Sequence, residues 1–258
     1  MSPRKLAALA LALALAGSAL AQAEVTQRGQ LRVSFQGSLI PHRLPRHGAA
    51  PIRVTVGAKI ATANGSVPPQ LRAIAIAINR HGRFAPDGLP VCSLRAIQPA
   101  TTAAALRSCR RSLVGEGSFS ARVLLPGQAP FPSRGKVFAF NGSFRGRPAI
   151  LAHVYGTQPA PTSYTLPFVV RAIRGTYGTL LRASLPQVTS NAGYITGLSM
   201  TLGRTFRDHG RVRSYLSAGC PAPKGLPGAV FPFAKANFAF AGERELSSVL
   251  TRSCKVRG

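Results

Sequence analysis

Acidic residues are scarce in this chain, which has 6 Asp and Glu against 33 Lys and Arg among 258 residues. Glycoside hydrolysis needs two carboxylates that face each other across a cleft, so the sequence does not favour that activity. The arginines are mostly scattered singly rather than clustered. A diffuse positive field of this kind favours association with anionic polymers and surfaces. We therefore expect the partner to be an anionic cell-envelope polymer or polysaccharide, or another protein.

Tryptophan is absent, and the phenylalanines lie largely in strand-like runs such as "FPFAKANFAF". Sites for single-stranded nucleic acid combine basic clusters with stacking aromatic rings, so nucleic acid is not an expected partner. After the N-terminal region, no segment approaches the ~18 apolar residues that a membrane-spanning helix needs. The remaining chain is thus expected to hold no integral membrane segment.

The N-terminal sequence "MSPRKLAALALALALAGSALAQAEV" has the layout of a secretory signal peptide. Arg4 and Lys5 form the basic region, residues 6–16 form the short apolar region, and Ala21 and Ala23 flank a small-residue cleavage site. These features predict a signal peptide over residues 1–23, cleavage after Ala23 and secretion into the extracellular space.

The chain has only 4 cysteines, at positions 92, 109, 220 and 254. None are separated by the short spacing that a zinc site uses, and we expect neither a metal nor a cofactor. In an exported protein, four cysteines suggest two disulfides, for which three pairings exist. We favour Cys92–Cys109 and Cys220–Cys254, because each of these bonds closes a local loop.

Period-two alternation of apolar residues dominates the chain. "LRAIAIAIN" places Ile74, Ile76 and Ile78 on one face, and "IRVTV", "KVFAF" and "TLPFVVRAI" are similar. Gly, Pro, Asn and Asp separate these runs, as is typical of an antiparallel β-sandwich. The sequence predicts an all-β protein of about 11 or 12 strands, with Asn64-Gly65 and Asn141-Gly142 as candidate hairpin turns.

Three details refine this all-β prediction. The proline-rich stretch at 156–163 is the best candidate boundary between residues 24–157 and 158–258, which form either two tandem sandwiches or one large one. One short α-helix is expected near residues 101–112, with Thr101 or Thr102 as its N-cap. In "VFPFAKANFAF", Phe231 and Phe233 share one strand parity and Phe238 and Phe240 the other, which predicts a bulge near 234–237 with each pair buried in a different layer.

Candidate catalytic groups are few. His153 lies inside the apolar run "AILAHVYG", with Ser163 and Tyr164 a short distance downstream. A histidine beside a serine activates a nucleophile if a carboxylate orients it, so a secreted hydrolase using His153 is the alternative interpretation. The structural interpretation, a satisfied histidine on a half-buried strand face, is favoured. Asp208-His209 is interpreted as a turn, with its two side chains pointing apart.

Three longer stretches carry a resemblance: "GRPAILAHVYGTQPAPTSYTLPF", "YITGLSMTLGRTF" and "SYLSAGCPAPKGLPGAVFPFAKANFAF". Over residues 31–257 the chain resembles a family of uncharacterised secreted proteins from high-GC soil actinobacteria, to which no activity is assigned. The resemblance implies export and an all-β domain, and it carries no functional residues with it. The leading hypothesis is therefore an exported cationic β-sandwich protein without enzymatic activity.

Overall fold

The computed structural model describes residues 23–157, 160–185 and 193–257. All of the predicted signal peptide except Ala23 lies outside these residues. Within them are eighteen strands and two α-helices. The strands are β1 Glu24–Arg28, β2 Leu31–Ile40, β3 Arg43–Leu44, β4 Ala50–Pro51, β5 Arg53–Thr62, β6 Leu71–Asn79, β7 Gly82–Phe84, β8 Leu113–Val123, β9 Phe131–Phe144, β10 Arg147–Gly156, β11 Thr162–Ala172, β12 Tyr177–Ser184, β13 Gly193–Leu202, β14 Thr205–Asp208, β15 Arg211–Ser214, β16 Leu216–Ala218, β17 Gly228–Phe240 and β18 Arg244–Val256.

Thirteen of these strands form one sheet, in the order β1-β2-β5-β13-β8-β9-β10-β11-β12-β6-β17-β18-β3. Every pairing in it is antiparallel except that of β3 with β18. Strands from the two predicted halves of the chain interleave, since β13 lies between β5 and β8 and β6 lies between β12 and β17. Strands β4, β16 and β7 form a small second sheet, and β14 and β15 form a hairpin.

The large sheet curls until its two ends meet. Thr26 of β1 donates its hydroxyl to the carbonyl of Ser247 in β18, 3.2 Å away. Close by, Nε of Arg252 donates to the carbonyl of Gly37 in β2, at 2.6 Å. The all-β prediction is confirmed, and opposite walls of the curled sheet face each other across the core as the two layers of a sandwich do.

Alternation along each strand decides what lies inside the curl. In β2, Leu31, Val33 and Phe35 are buried while Arg32 and Gln36 are exposed, as a strand with one core-facing side requires. The same pattern in the other strands produces one large apolar core inside the sheet. Across that core, the rings of Phe35 and Phe238 pack edge to face with their centroids 6.0 Å apart.

A helical segment covers the outer face of the sheet over β9 and β10. Helix α1 spans Leu94–Ile97 and helix α2 spans Thr102–Cys109, followed by a 3-10 turn at Arg110–Ser112. The predicted helix is confirmed with Thr101 as its N-cap, whose hydroxyl accepts from the N–H of Ala104 at 3.2 Å. The single turn of α1 was not predicted. These helices form a second, smaller core with the outward-facing Phe138, Phe140 and Leu151.

The hairpin turn predicted at Asn141-Gly142 is wrong, because both residues lie inside β9. The turn between β9 and β10 falls instead at Arg145-Gly146, where both residues have positive φ. Tertiary contacts explain the difference. Asn141 accepts from the N–H of Cys92 at 2.8 Å through its carbonyl and donates its side-chain amide to the carbonyl of Pro90 at 3.2 Å.

The four phenylalanines of β17 enter one core rather than two layers. A bulge is present, but it lies between Pro232 and Ala234, slightly earlier than predicted. Because the bulge shifts the strand parity by one, the two pairs of rings on either side of it end on the same face. All four are buried in the large core: Phe231, Phe233, Phe238 and Phe240.

The two disulfides are those that local spacing favoured. Cys92–Cys109 fastens α2 to the chain that precedes α1, and Cys220–Cys254 fastens the loop before β17 to β18. Arg46 reinforces the second bond, because its guanidinium donates to the carbonyls of Ala222, Pro223 and Leu226 in the same loop. Two structural disulfides are typical of proteins that fold in an oxidising compartment.

Candidate functional site

His153, the candidate catalytic residue, is fully buried on the outer face of β10 beneath the helical segment. In the sheet its register neighbours are Phe138 on β9 and Thr165 on β11. Neither ring nitrogen has a hydrogen-bond partner among the described residues, and the hydroxyl of Thr165 also lacks one. Ser163, two residues before Thr165, uses its hydroxyl to accept from the N–H of Ala100 at 3.2 Å. The structure therefore does not join His153 to either hydroxyl.

Among the residues that the structure describes, no carboxylate hydrogen-bonds to the His153 ring. The nearest acidic side chain in the same cross-strand row is Glu116 on β8, with Phe138 on β9 between the two. Two strand spacings separate Glu116 from His153, or roughly 9–10 Å. Burial lowers the pKa of His153, while the nearby Ile97 carbonyl opposes the shift without forming a hydrogen bond of good geometry. A buried neutral histidine without a partner is a structural group rather than a general base.

His153 is expected to make folding less favourable in acid. Because burial lowers its pKa in the folded state, the unfolded chain takes up a proton first as the pH falls through its ordinary value. The contribution of His153 to the free energy of unfolding is therefore lost as the pH falls below about 6.5. Urea unfolding of the wild type and of His153→Gln at pH 7 and pH 5 should show a smaller loss on acidification in the variant. An equal loss in both proteins would contradict the assignment.

Other histidines do not assemble a site. His42 and His47 are exposed, and the described part of the chain contains no group of three His, Cys, Asp or Glu side chains able to hold a metal. Asp208 and His209 form the turn between β14 and β15, as expected. Their side chains do not point apart, however, because Nδ1 of His209 lies 2.9 Å from Asp208, which also pairs with Arg213 at 3.2 Å.

A polar, positively charged surface covers the outer side of β2, β5, β13, β8 and β9, and we call it the hydroxyl–cation face. One cross-strand row runs through Ser34, Lys59, Gly197, Ser120 and Arg134. The next row runs through Gln36, Gly57, Ser199, Ser118 and Lys136. A third row runs through Ser38, Thr55, Thr201 and Glu116.

Charge on this face is largely uncompensated. Lys59, Arg134 and Lys136 are exposed, and Glu116 is the acidic residue of its three rows. The ion pair of Arg213 with Asp208 lies elsewhere, on the separate β14–β15 hairpin. Sequence reasoning found the excess of charge but not the face, because the serines of β8 and β2 become neighbours only through β13 and β5.

Some arginines stabilise the fold instead of presenting charge. Besides Arg46 and Arg252, Arg204 donates to the carbonyls of Arg111 and Leu113 at 2.8 and 2.7 Å, where the chain leaves the helical segment. These guanidinium groups donate to main-chain carbonyls and so hold neighbouring segments of the chain together. Positive charge on the hydroxyl–cation face has no such structural use among the contacts described.

Comparison of the chain with protein-family models, with curated proteins and with solved structures found no match in any of the three. No helix in the described ranges is long and apolar enough to cross a membrane. The functional interpretation therefore depends on the geometry of this chain alone.

Proposed function

We propose that this protein is exported, with cleavage after Ala23, and acts without catalysis by binding an anionic polymer of the cell envelope or extracellular matrix. The observation that carries the proposal is the uncompensated positive charge on the hydroxyl–cation face. Few acidic groups compete there with an incoming anion, and hydroxyls stand beside the cations to donate further hydrogen bonds.

The spacing of the cations suits an extended polymer. Arg134 and Lys136 occupy alternate positions of β9, so their side chains leave the same side of the sheet roughly 7 Å apart. Ser118 and Ser120 of β8 lie directly beside them in the register. Successive charged groups of one polymer chain are thus able to meet both cations and their hydroxyl neighbours.

The hydrolase alternative is not proposed further. It requires His153 to contact both a nucleophile and a carboxylate, and the described surroundings of its ring provide neither contact. An excess of surface charge, in contrast, needs no assembled catalytic group in order to act.

Binding to isolated bacterial cell walls tests this proposal. Each cation–anion contact releases a counterion, so the binding constant should fall about tenfold or more between ~50 and ~200 mM salt if two or more contacts form. Walls stripped of their anionic polymers serve as the control and should retain little protein. Retention that is absent, that ignores salt, or that persists on stripped walls would contradict the proposal.

A further inference from the structure

The core inside the curled sheet is incompletely filled. Three compartments adjoin one another inside the curled sheet, an outer one of about 290 Å³, a middle one of about 190 Å³ and an inner one of about 60 Å³. The first two share Phe119 and Tyr164 in their walls, and the second and third share Ile74 and Phe238. Protein interiors are normally close-packed, with few voids larger than a water molecule. Space on this scale therefore requires an explanation.

The middle compartment is suited to hydrocarbon and not to water. Its wall, among the described residues, exposes no polar atoms and is formed by side chains such as Ile60, Leu166 and Leu198. A bound water needs two or more polar partners, and apolar cavities of about 150 Å³ stay dry and accept small apolar molecules. The two larger compartments together reach the 300–1,000 Å³ typical of small-molecule sites.

The outer compartment has a mixed wall. Arg122 and Tyr194 line it, together with apolar groups that continue inward. A side chamber of about 260 Å³ shares Gln70 and Tyr194 with this compartment and is lined by Arg72. Nη1 of Arg72 is itself buried and has no hydrogen-bond partner among the described residues. A buried donor that lacks a partner is unfavourable, and a ligand that accepts a hydrogen bond from the Arg72 guanidinium would relieve this.

From this arrangement we infer that the curled sheet binds an amphiphilic anion, with its apolar chain in the middle compartment and its acidic head at Arg72. A carboxylate is the simplest head group, because its two oxygens match the guanidinium fork. Phe119 and Tyr164 line both the outer and the middle compartment, so the apolar chain of the ligand passes beside their rings. This interior site is separate from the hydroxyl–cation face, so it goes beyond the proposed function and does not depend on it.

Displacement of a fluorescent anion tests the inference. 1-Anilinonaphthalene-8-sulfonate is titrated into the purified, disulfide-bonded protein, which has no tryptophan to interfere. Monomeric decanoate, decanol and butyrate then compete with it. We expect saturable binding, displacement by decanoate at a concentration at least tenfold below that of decanol, and no displacement by butyrate in the same range.

Paired variants locate the binding site. Ala121 lines both larger compartments, so Ala121→Phe should weaken decanoate binding at least tenfold, whereas Ser118→Phe, on the outer side of the same strand, should leave it unchanged. If circular dichroism shows that Ala121→Phe is unfolded, Val154→Phe is used in its place, because it fills the same space from β10. Arg72→Gln should weaken decanoate but not decanol, while Arg182→Gln, exposed on β12, should change neither.

Three outcomes would overturn the inference. One is the absence of saturable binding by the wild type. Another is equal binding by the Ala121→Phe and Ser118→Phe proteins, which would indicate adsorption to the outer surface. The third is equal loss of decanoate binding in Arg72→Gln and Arg182→Gln, which would show that Arg72 does not hold the head group.

Discussion

Loss of the Cys220–Cys254 disulfide is expected to lower the free energy of unfolding by about 3–4 kcal/mol. The bond joins residues 34 positions apart, so in the loop-entropy model its removal frees a long loop in the unfolded chain. Both cysteines are buried, and the bond fastens the loop held by Arg46 to the strand that closes the sheet against β1 and β2. Cys220→Ala/Cys254→Ala is the appropriate variant, because it leaves no free thiol.

Urea unfolding followed by far-ultraviolet circular dichroism measures this effect. The matched control is Cys92→Ala/Cys109→Ala, whose bond spans 17 positions. Halving the loop reduces the entropic gain by only about 0.6 kcal/mol, so the control should lose slightly less stability. A loss below about 1 kcal/mol for the Cys220–Cys254 pair would show that the bond is not the closure that we describe.

Replacement of Gly117 by alanine is expected to destabilise the protein by about 3 kcal/mol or more. A Cβ atom at this position would lie 1.9 Å from the carbonyl oxygen of Ser199 and 2.9 Å from the Cα of Met200. These atoms belong to the backbone of β13, which pairs with β8 at this point, so no side-chain rotation relieves the clash. The close approach of β8 and β13 therefore depends on glycine.

Gly156→Ala is the control for Gly117→Ala. Its added Cβ would meet nothing closer than Phe119, at 3.7 Å, which is ordinary van der Waals contact. The change should alter the free energy of unfolding by less than about 1 kcal/mol. If both variants lost the same stability, the contact between β8 and β13 would not be the cause.

Sequence reasoning was most successful where a pattern is local. Alternation predicted strands such as β6, the spacing of the cysteines favoured the observed disulfides, and Thr101 was one of two predicted caps. Each of these features depends on residues close together in the chain, and physical preferences over a few residues decide them.

Features that depend on distant contacts were not predicted. Alternation shows which side chains share a face but not which strands are neighbours, so the position of β13 between β5 and β8 had no sequence signal. The alternation around His153 correctly predicted that it lies on a strand. Its burial, however, depends on the helical segment more than 50 residues earlier in the chain, where Ile97 lies close to its ring. Asn141-Gly142 has the composition of a turn and became part of β9 because Leu89 and Pro90 accept its hydrogen bonds.

The most direct test of the proposed function compares two matched pairs of charge-neutralising variants on isolated cell walls. Arg134→Gln/Lys136→Gln removes two cations from the hydroxyl–cation face, and Arg171→Gln/Arg182→Gln removes two exposed cations from β11 and β12. Net charge falls equally in both proteins. If the face binds the polymer, the first pair should reduce the slope of log binding constant against log salt by ~1.5–2 and the second should leave it nearly unchanged. Equal slopes in the two variants would contradict a binding face on β8 and β9.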